Sequence, residues 1–223
     1  MTNSTARIRE IFTSIQGEGP FIGYKQLFIR FCGCNLACKY CDTDFDSKSG
    51  KEYSIEELIE LENSNIDCHS VSLTGGEPLL QADFLKEFLP LSKLPVYLET
   101  NATLPEKLVK IIDYVDYISA DIKLPSCSGN VPLWNNHDRF FEIASEKILF
   151  AKVVFDENIT EEEIYNAIKL ASKYNIELVL QPKCTSESII PDMNFTEGIL
   201  NKILAGYKNV RLIPQVHKLL NIR

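Results

Sequence analysis

Short apolar segments alternate with helical segments along almost the whole chain of 223 residues, and this alternation restricts the fold more than any other feature. Strands are predicted at 27–31, 70–73, 96–98, 117–120, 148–155, 177–180 and 210–213. Helices are predicted at 54–61, 80–89, 105–112, 160–174 and 196–204, with a short one near 140–145 behind a polar loop over 125–138. Ser54 with Glu57 three residues on forms a capping box. Pro105 stands at the start of its helix, where a missing N–H is harmless. Strands separated by helices at this spacing form βαβ units and a parallel sheet. About seven strands is short of a closed eightfold barrel. The expected architecture is therefore α/β, a partial (β/α) barrel of six to seven mostly parallel strands, with residues 1–223 as a single domain. Chemistry in such folds gathers past the C-terminal strand ends. The loops that fall there are a cysteine loop after the first predicted strand, 74–78 after the second, 99–101 after the third, 121–123 after the fourth and 181–182 after the sixth.

Apolar residues make up 45% of the chain, enough for a full core without disulfide staples. The net charge of −8 argues against a general nucleic-acid-binding surface, which needs a basic footprint. No apolar run is long enough to span a bilayer, and residues 1–19 lack the pattern of a secretory signal, so a cytoplasmic location without membrane contact is expected. Four of the seven cysteines fall between Cys32 and Cys41. In a reducing compartment such clustering points to metal or catalysis rather than disulfides. Cys34, Cys38 and Cys41 are spaced C-x3-C-x2-C. Three thiolates can bind three irons of a [4Fe–4S] cube and leave the fourth open to a small ligand. A structural zinc site wants four closed ligands, and adding Cys32 gives a poor match to zinc spacings. Cys68, Cys127 and Cys184 read as buried and incidental, and His69 and His137 as structural. Trp134 is left as either a lid or a dimer contact.

The cysteine spacing together with Gly75-Gly76-Glu77-Pro78, each placed after a strand, resembles the radical S-adenosylmethionine (SAM) superfamily. That resemblance implies a [4Fe–4S] cluster on Cys34, Cys38 and Cys41, with SAM at the open iron. It places Gly76 and Glu77 beside the SAM amino and carboxylate groups. It puts Tyr40 near the adenine, with Cys41 and Asp42 also contacting SAM. Ser119, Asp121 and Lys123 fill the place of a shorter Ser-Pro-Lys-like SAM segment, with Asp121 toward the ribose and Lys123 toward the carboxylate. Gln181 would line the adenine pocket, and Asn101 is a further SAM contact.

The flanking residues narrow the resemblance. They are Ile15 to Pro20 (IQGEGP), Phe28 to Cys34 (FIRFCGC), Asp42-Thr43, Leu73 to Pro78 (LTGGEP) and Pro214 to Lys218 (PQVHK). Across nearly the whole chain they resemble the 7-carboxy-7-deazaguanine synthase family. The resemblance implies conversion of 6-carboxy-5,6,7,8-tetrahydropterin to 7-carboxy-7-deazaguanine with loss of ammonia, on the route to queuosine and related deazapurines. It assigns Ile15, Gln16, Gly17, Glu18 and Thr74 to the pterin, Arg30 to its carboxylate and Thr43 to Mg2+. His217 is the C-terminal substrate candidate, because Asn221-Ile222-Arg223 departs from the terminal proline of many members. A flavodoxin- or ferredoxin-type electron donor and a homodimer are implied as well. Two alternatives stand beside this reading. One is a glycyl-radical-enzyme activase, and the other a non-catalytic iron–sulfur or zinc-binding module.

Overall fold

A computed structural model describes residues 4–41, 50–184 and 189–222. The elements in chain order begin with β1 (Thr5–Ile15), β2 (Lys25–Phe31), β3 (Lys51–Ser54), α1 (Ile55–Asn63), β4 (Ser70–Gly75), α2 (Ala82–Phe88), β5 (Val96–Thr100) and α3 (Pro105–Leu108). They continue with β6 (Tyr117–Ile122), α4 (Pro125–Ser128), α5 (Trp134–Ala144), β7 (Ile148–Phe155), α6 (Glu161–Tyr174), β8 (Glu177–Cys184), β9 (Ile189–Ile190), α7 (Met193–Gly206), β10 (Val210–Leu212) and α8 (Val216–Leu220).

The strands form one sheet in the order β10-β8-β7-β6-β5-β4-β2-β1-β3, with β9 on β8. From β2 through β4, β5, β6, β7 and β8 to β10 every pairing is parallel. These seven strands are the predicted ones, and they make an open partial barrel. The strands missing from the prediction are antiparallel: β1 on β2, β3 on β1 and β9 on β8. In β1, Ala6 and Ile8 enter the core, with Arg7 between them and Arg9 and Glu10 after them, so the segment has no continuous apolar run. The cysteine loop accordingly follows the second strand of the chain, although that strand is the first of the parallel set.

The helices cover the outer face. In α1 the capping box is formed: Ser54 Oγ accepts from Glu57 N at 3.2 Å, and Glu57 accepts from Ser54 N at 2.8 Å. Thr160 and Glu163 repeat it at the start of α6, and Asn175 ends that helix in the left-handed region. The loop expected over 125–138 is instead largely helical: it contains α4 and the first turn of α5. Its apolar stripe is His137, Phe140, Phe141 and Ala144, all buried. A histidine in a core position hid that period. Burial lowers the His137 pKa to about 4, so the ring is neutral, and its Nε2 accepts from Lys123 N at 3.4 Å. Trp134 rests partly buried against the core. No helix among the described residues is long and apolar enough to cross a membrane.

Inward positions alternate along each strand. The lower half of the interior is closed by Tyr97, Phe150 and Val179 with Phe21, whose ring lies 5.3 Å from Tyr97 and 4.7 Å from Tyr117. That aromatic plug leaves the opposite end, at the C-terminal strand tips, open for a site.

Candidate active site

A cavity of about 630 Å³ lies above the plug. That volume is in the usual range for small-molecule sites. Its deepest polar layer is a hydrogen-bonded floor. Gln16 Nε2 donates to Gln26 Oε1 at 2.9 Å and to Glu99 Oε1 at 2.8 Å, while Gln16 Oε1 accepts from Glu18 N at 2.9 Å. Thr74 Oγ1 donates to Glu99 Oε2 at 2.9 Å. Both amide protons of Gln16 are thus used inside the protein. Gln16 nonetheless lines the cavity, and in this arrangement it faces it as part of the floor that holds Glu99. The residue it orients is Glu99, a cavity carboxylate that sequence reasoning missed.

A line of alternating charge runs along one wall. Glu18 Oε2 pairs with Lys152, Lys152 Nζ lies 3.2 Å from Asp121 Oδ1, and Lys123 Nζ lies 2.6 Å from Asp121 Oδ2. Gln215 Nε2 donates to Glu18 Oε1 at 2.7 Å. Burial alone would raise the Glu18 carboxyl, but the Lys152 charge and the hydrogen bonds from Gln215 and Lys152 hold it at about 2. Burial opposes the Lys152 ammonium too, yet Asp121 and Glu18 keep it above the usual lysine range. Lys152 was also missed. Its signal was a lone lysine inside the otherwise apolar strand Ile148–Phe155, a pattern that calls for an inward partner. Asp121 and Lys123 line the cavity as predicted but are paired with each other, and Lys123 Nζ sits 5.4 Å over the Tyr40 ring.

Near the rim, Arg30 Nε donates to Glu10 Oε1 at 2.8 Å and its guanidinium lies 5.9 Å over Phe12, which stacks on Phe28 at 5.2 Å. Arg30 is therefore oriented by a structural ion pair while still lining the cavity. Helix α8 lies beside Gly17, with Val216 N donating to Gly17 O at 2.9 Å. A Cβ on Gly17 would come within 2.5 Å of His217 Cβ and 2.7 Å of His217 N. Gly17→Ala is thus expected to loosen α8 at a cost of about 1–3 kcal/mol. Limited proteolysis with mass readout should show earlier cleavage of the C-terminal segment, and an unchanged cleavage pattern would contradict the contact.

Cys34, Cys38 and Cys41 all line the same cavity as Ile15, Gly17, Tyr40, Gly76, Asn101, Gln181 and His217. The cysteine loop is locked to the glycine turn. Gly76 N donates to Phe31 O at 3.1 Å and Glu77 N to Gly33 O at 2.9 Å. A Cβ on Gly76 would meet Gly33 O at 1.9 Å, which only glycine avoids. Two predicted SAM residues lie elsewhere. Glu77 is fully buried beneath the cavity and accepts from Leu79 N, Thr100 Oγ1 and Asn101 N at 3.1, 2.8 and 2.8 Å. Burial pushes its carboxyl up to about 7 in spite of those donors. It shapes the turn and does not line the cavity. Ser119 is one layer too low on β6, buried beside Tyr97, because inward positions on the strand descend from Lys123 and Asp121. Asp42 and Thr43 lie outside the described residues.

The residues present suit the groups such a site would hold. Three soft thiols on one loop match iron–sulfur ligation. Among the described residues no three His, Cys, Asp or Glu side chains converge on one ion, and thiolates that each take a different iron of a cube need not. Burial pushes the Cys34 thiol up, a shift that metal coordination reverses. Gln181 lines the cavity, and its buried Oε1 has no hydrogen-bond partner among the described residues, which fits a ligand amine.

Comparison with known proteins places this geometry. The model of the radical SAM superfamily matches residues 28–190, and QueE from Escherichia coli shares the fold with a TM-score of 0.64 at 21% identity over 96% of this chain and 95% of that one. A radical SAM methyltransferase from Sphaerobacter thermophilus shares it with a TM-score of 0.62 at 10% identity over 86% of this chain and 66% of that one. The chain is a radical SAM protein, a class whose members use a [4Fe–4S] cluster and SAM. The 7-carboxy-7-deazaguanine synthase of Geobacter sulfurreducens is 37% identical over 98% of both chains, and that of Archaeoglobus fulgidus 37% identical over 98% of this chain and 99% of its own. Within the superfamily the chain belongs to the 7-carboxy-7-deazaguanine synthase family.

Proposed function

We propose that the chain converts 6-carboxy-5,6,7,8-tetrahydropterin to 7-carboxy-7-deazaguanine with release of ammonia. The observation that carries this reading is one cavity lined both by three cysteine thiols and by the hydrogen-bonded Glu99–Gln16–Glu18 floor. A pterin presents amide and amino N–H groups along one edge. Carboxylate oxygens of Glu99 and Glu18 can accept from that edge, since each carboxylate offers several lone-pair sites. Thr74 and Gln16 hold Glu99 in place, and Lys152 with Gln215 holds Glu18. Arg30 suits the substrate carboxylate as a charge-assisted donor. When bound, the reduced cluster and SAM supply the one-electron cleavage of SAM and the hydrogen-atom abstraction that starts the ring contraction. The chain's own part is to bind, orient and exclude water; no side chain is needed as a nucleophile. Thr43 as Mg2+ ligand, a flavodoxin or ferredoxin donor, a homodimer and a cytoplasmic location complete the proposal, on the family resemblance. An activase would have no use for the half-buried carboxylate floor.

Anaerobic turnover tests this. The reconstituted enzyme with dithionite, SAM, Mg2+ and the carboxypterin should form the deazaguanine product, detected by mass, and lose it in Cys38→Ala. Cleavage of SAM to 5′-deoxyadenosine without deazaguanine would reject the substrate assignment.

A further inference from the structure

Two asparagine amides reach the thiols of the cysteine loop from distant parts of the chain. Asn130 Nδ2 lies 3.1 Å from Cys38 Sγ, and Asn101 Nδ2 lies 3.8 Å from Cys34 Sγ. Asn101 is already held by Asn35 and Thr103, so its longer contact is a by-product of that network. Asn130 has a different setting. It follows a tight turn at the end of α4, in which Ser128 N and Gly129 N donate to Leu124 O and Pro125 O, and Asn130 N donates to Ser128 Oγ at 3.2 Å. The turn is clamped on the cysteine loop: Lys39 N donates to Ser128 O at 2.9 Å. Gly129, with φ of 76°, lies so close that a Cβ would come within 2.6 Å of Lys39 Cε. The amide is therefore presented to Cys38 by fixed backbone, not by a free surface rotor. A thiolate can only accept, so the face turned to it is the N–H.

We propose that Asn130 is a positioning residue for the iron–sulfur cluster, donating a side-chain hydrogen bond to the Cys38 sulfur and raising the cluster's reduction potential. The sulfur carries more negative charge when the cluster gains an electron. A fixed N–H dipole aimed at it stabilises the reduced state more than the oxidised one, and hydrogen bonds to the sulfurs are a recognised determinant of cluster potential. The inference rests on membership of the radical SAM superfamily alone and is independent of which substrate the cavity takes.

The test is an EPR-monitored redox titration of the full chain with its cluster reconstituted, beside Asn130→Leu and Asn130→Asp. In Asn130→Leu the reduced-to-oxidised ratio at a fixed poise should fall about tenfold, equivalent to a shift of about 59 mV to lower potential for a one-electron couple. Asn130→Asp keeps the size of the side chain but turns an acceptor toward the sulfur, so it should shift in the same direction by at least as much. A residue that merely held the turn closed would give the opposite sign. Loosening it would admit water, which stabilises the more highly charged reduced cluster and raises the potential. An unchanged or raised potential in Asn130→Asp at full iron content would overturn the proposal, as would loss of iron from both variants.

Discussion

Lys152→Met is expected to lower kcat/KM for the carboxypterin about 100-fold and to add to the pH profile an acid limb from Glu18 that the native enzyme lacks. Lys152 and Glu18 are mostly buried, with side-chain exposures of 9% and 19%. Removing one partner of a buried ion pair costs about 3–5 kcal/mol because the other charge is left without compensation. If about 2.7 kcal/mol of this falls on the substrate-bound state, the rate constant drops 100-fold. The direction of the pH effect follows from Glu18. Its folded pKa is about 2, below the ordinary 4.5. The stabilisation from its ionised form is therefore fully present above the ordinary value and lost as pH falls toward about 2, so the native enzyme shows no Glu18 transition near neutrality. Without Lys152, burial dominates and drives the carboxyl above its ordinary value. Activity should then fall on the acid side, where Glu18 takes up a proton. Lys152→Arg keeps the charge and should keep the native profile, without the Glu18 limb. An unchanged kcat/KM with no added acid limb in Lys152→Met would remove Glu18 and Lys152 from the site.

Glu77→Ala is expected to destabilise the chain by roughly 3–5 kcal/mol, measured by urea denaturation. The carboxylate receives two backbone N–H groups and one hydroxyl in a position with no solvent exposure. Each buried donor left without an acceptor costs about 1–3 kcal/mol, and water entering the small void recovers part of it. Glu77→Gln keeps one acceptor oxygen but sets an amide N–H against the donors, so it should fall between. The same variants should lose cluster iron faster, because Glu77 fixes both the turn that pins Gly33 and the backbone of Asn101. A loss below about 1 kcal/mol in Glu77→Ala would mean that water reaches this layer freely.

The places where reading the chain succeeded and failed divide by locality. Ser54 with Glu57, the lone Pro105, the apolar strand at 148–155 and the C-x3-C-x2-C loop are all defined within a few residues, and each stands where expected. Strand β1 was missed because its inward residues alternate with charges, and the first half of the helix at Trp134–Ala144 because a neutral buried histidine sits in its apolar stripe. Ser119 and Glu77 were placed in the site by their neighbours in sequence. One step along a strand or past a turn moves a side chain to another layer, and motif proximity carries no information about that step.

By itself the sequence determined the parallel α/β order, the loop that offers three thiolates, and the glycine turn that must accompany it, since these depend on local chemistry and short-range period. The tertiary structure alone decided which charges meet. Glu18 and Lys152 are 134 residues apart, and Glu18 and Gln215 are 197 apart. Their pairing depends on strand order, on register and on the lay of α8 over Gly17. The protein interior supplies the reason it matters: in that low-dielectric wall an unpartnered carboxylate or ammonium is costly, so the fold is held to the one arrangement in which they alternate.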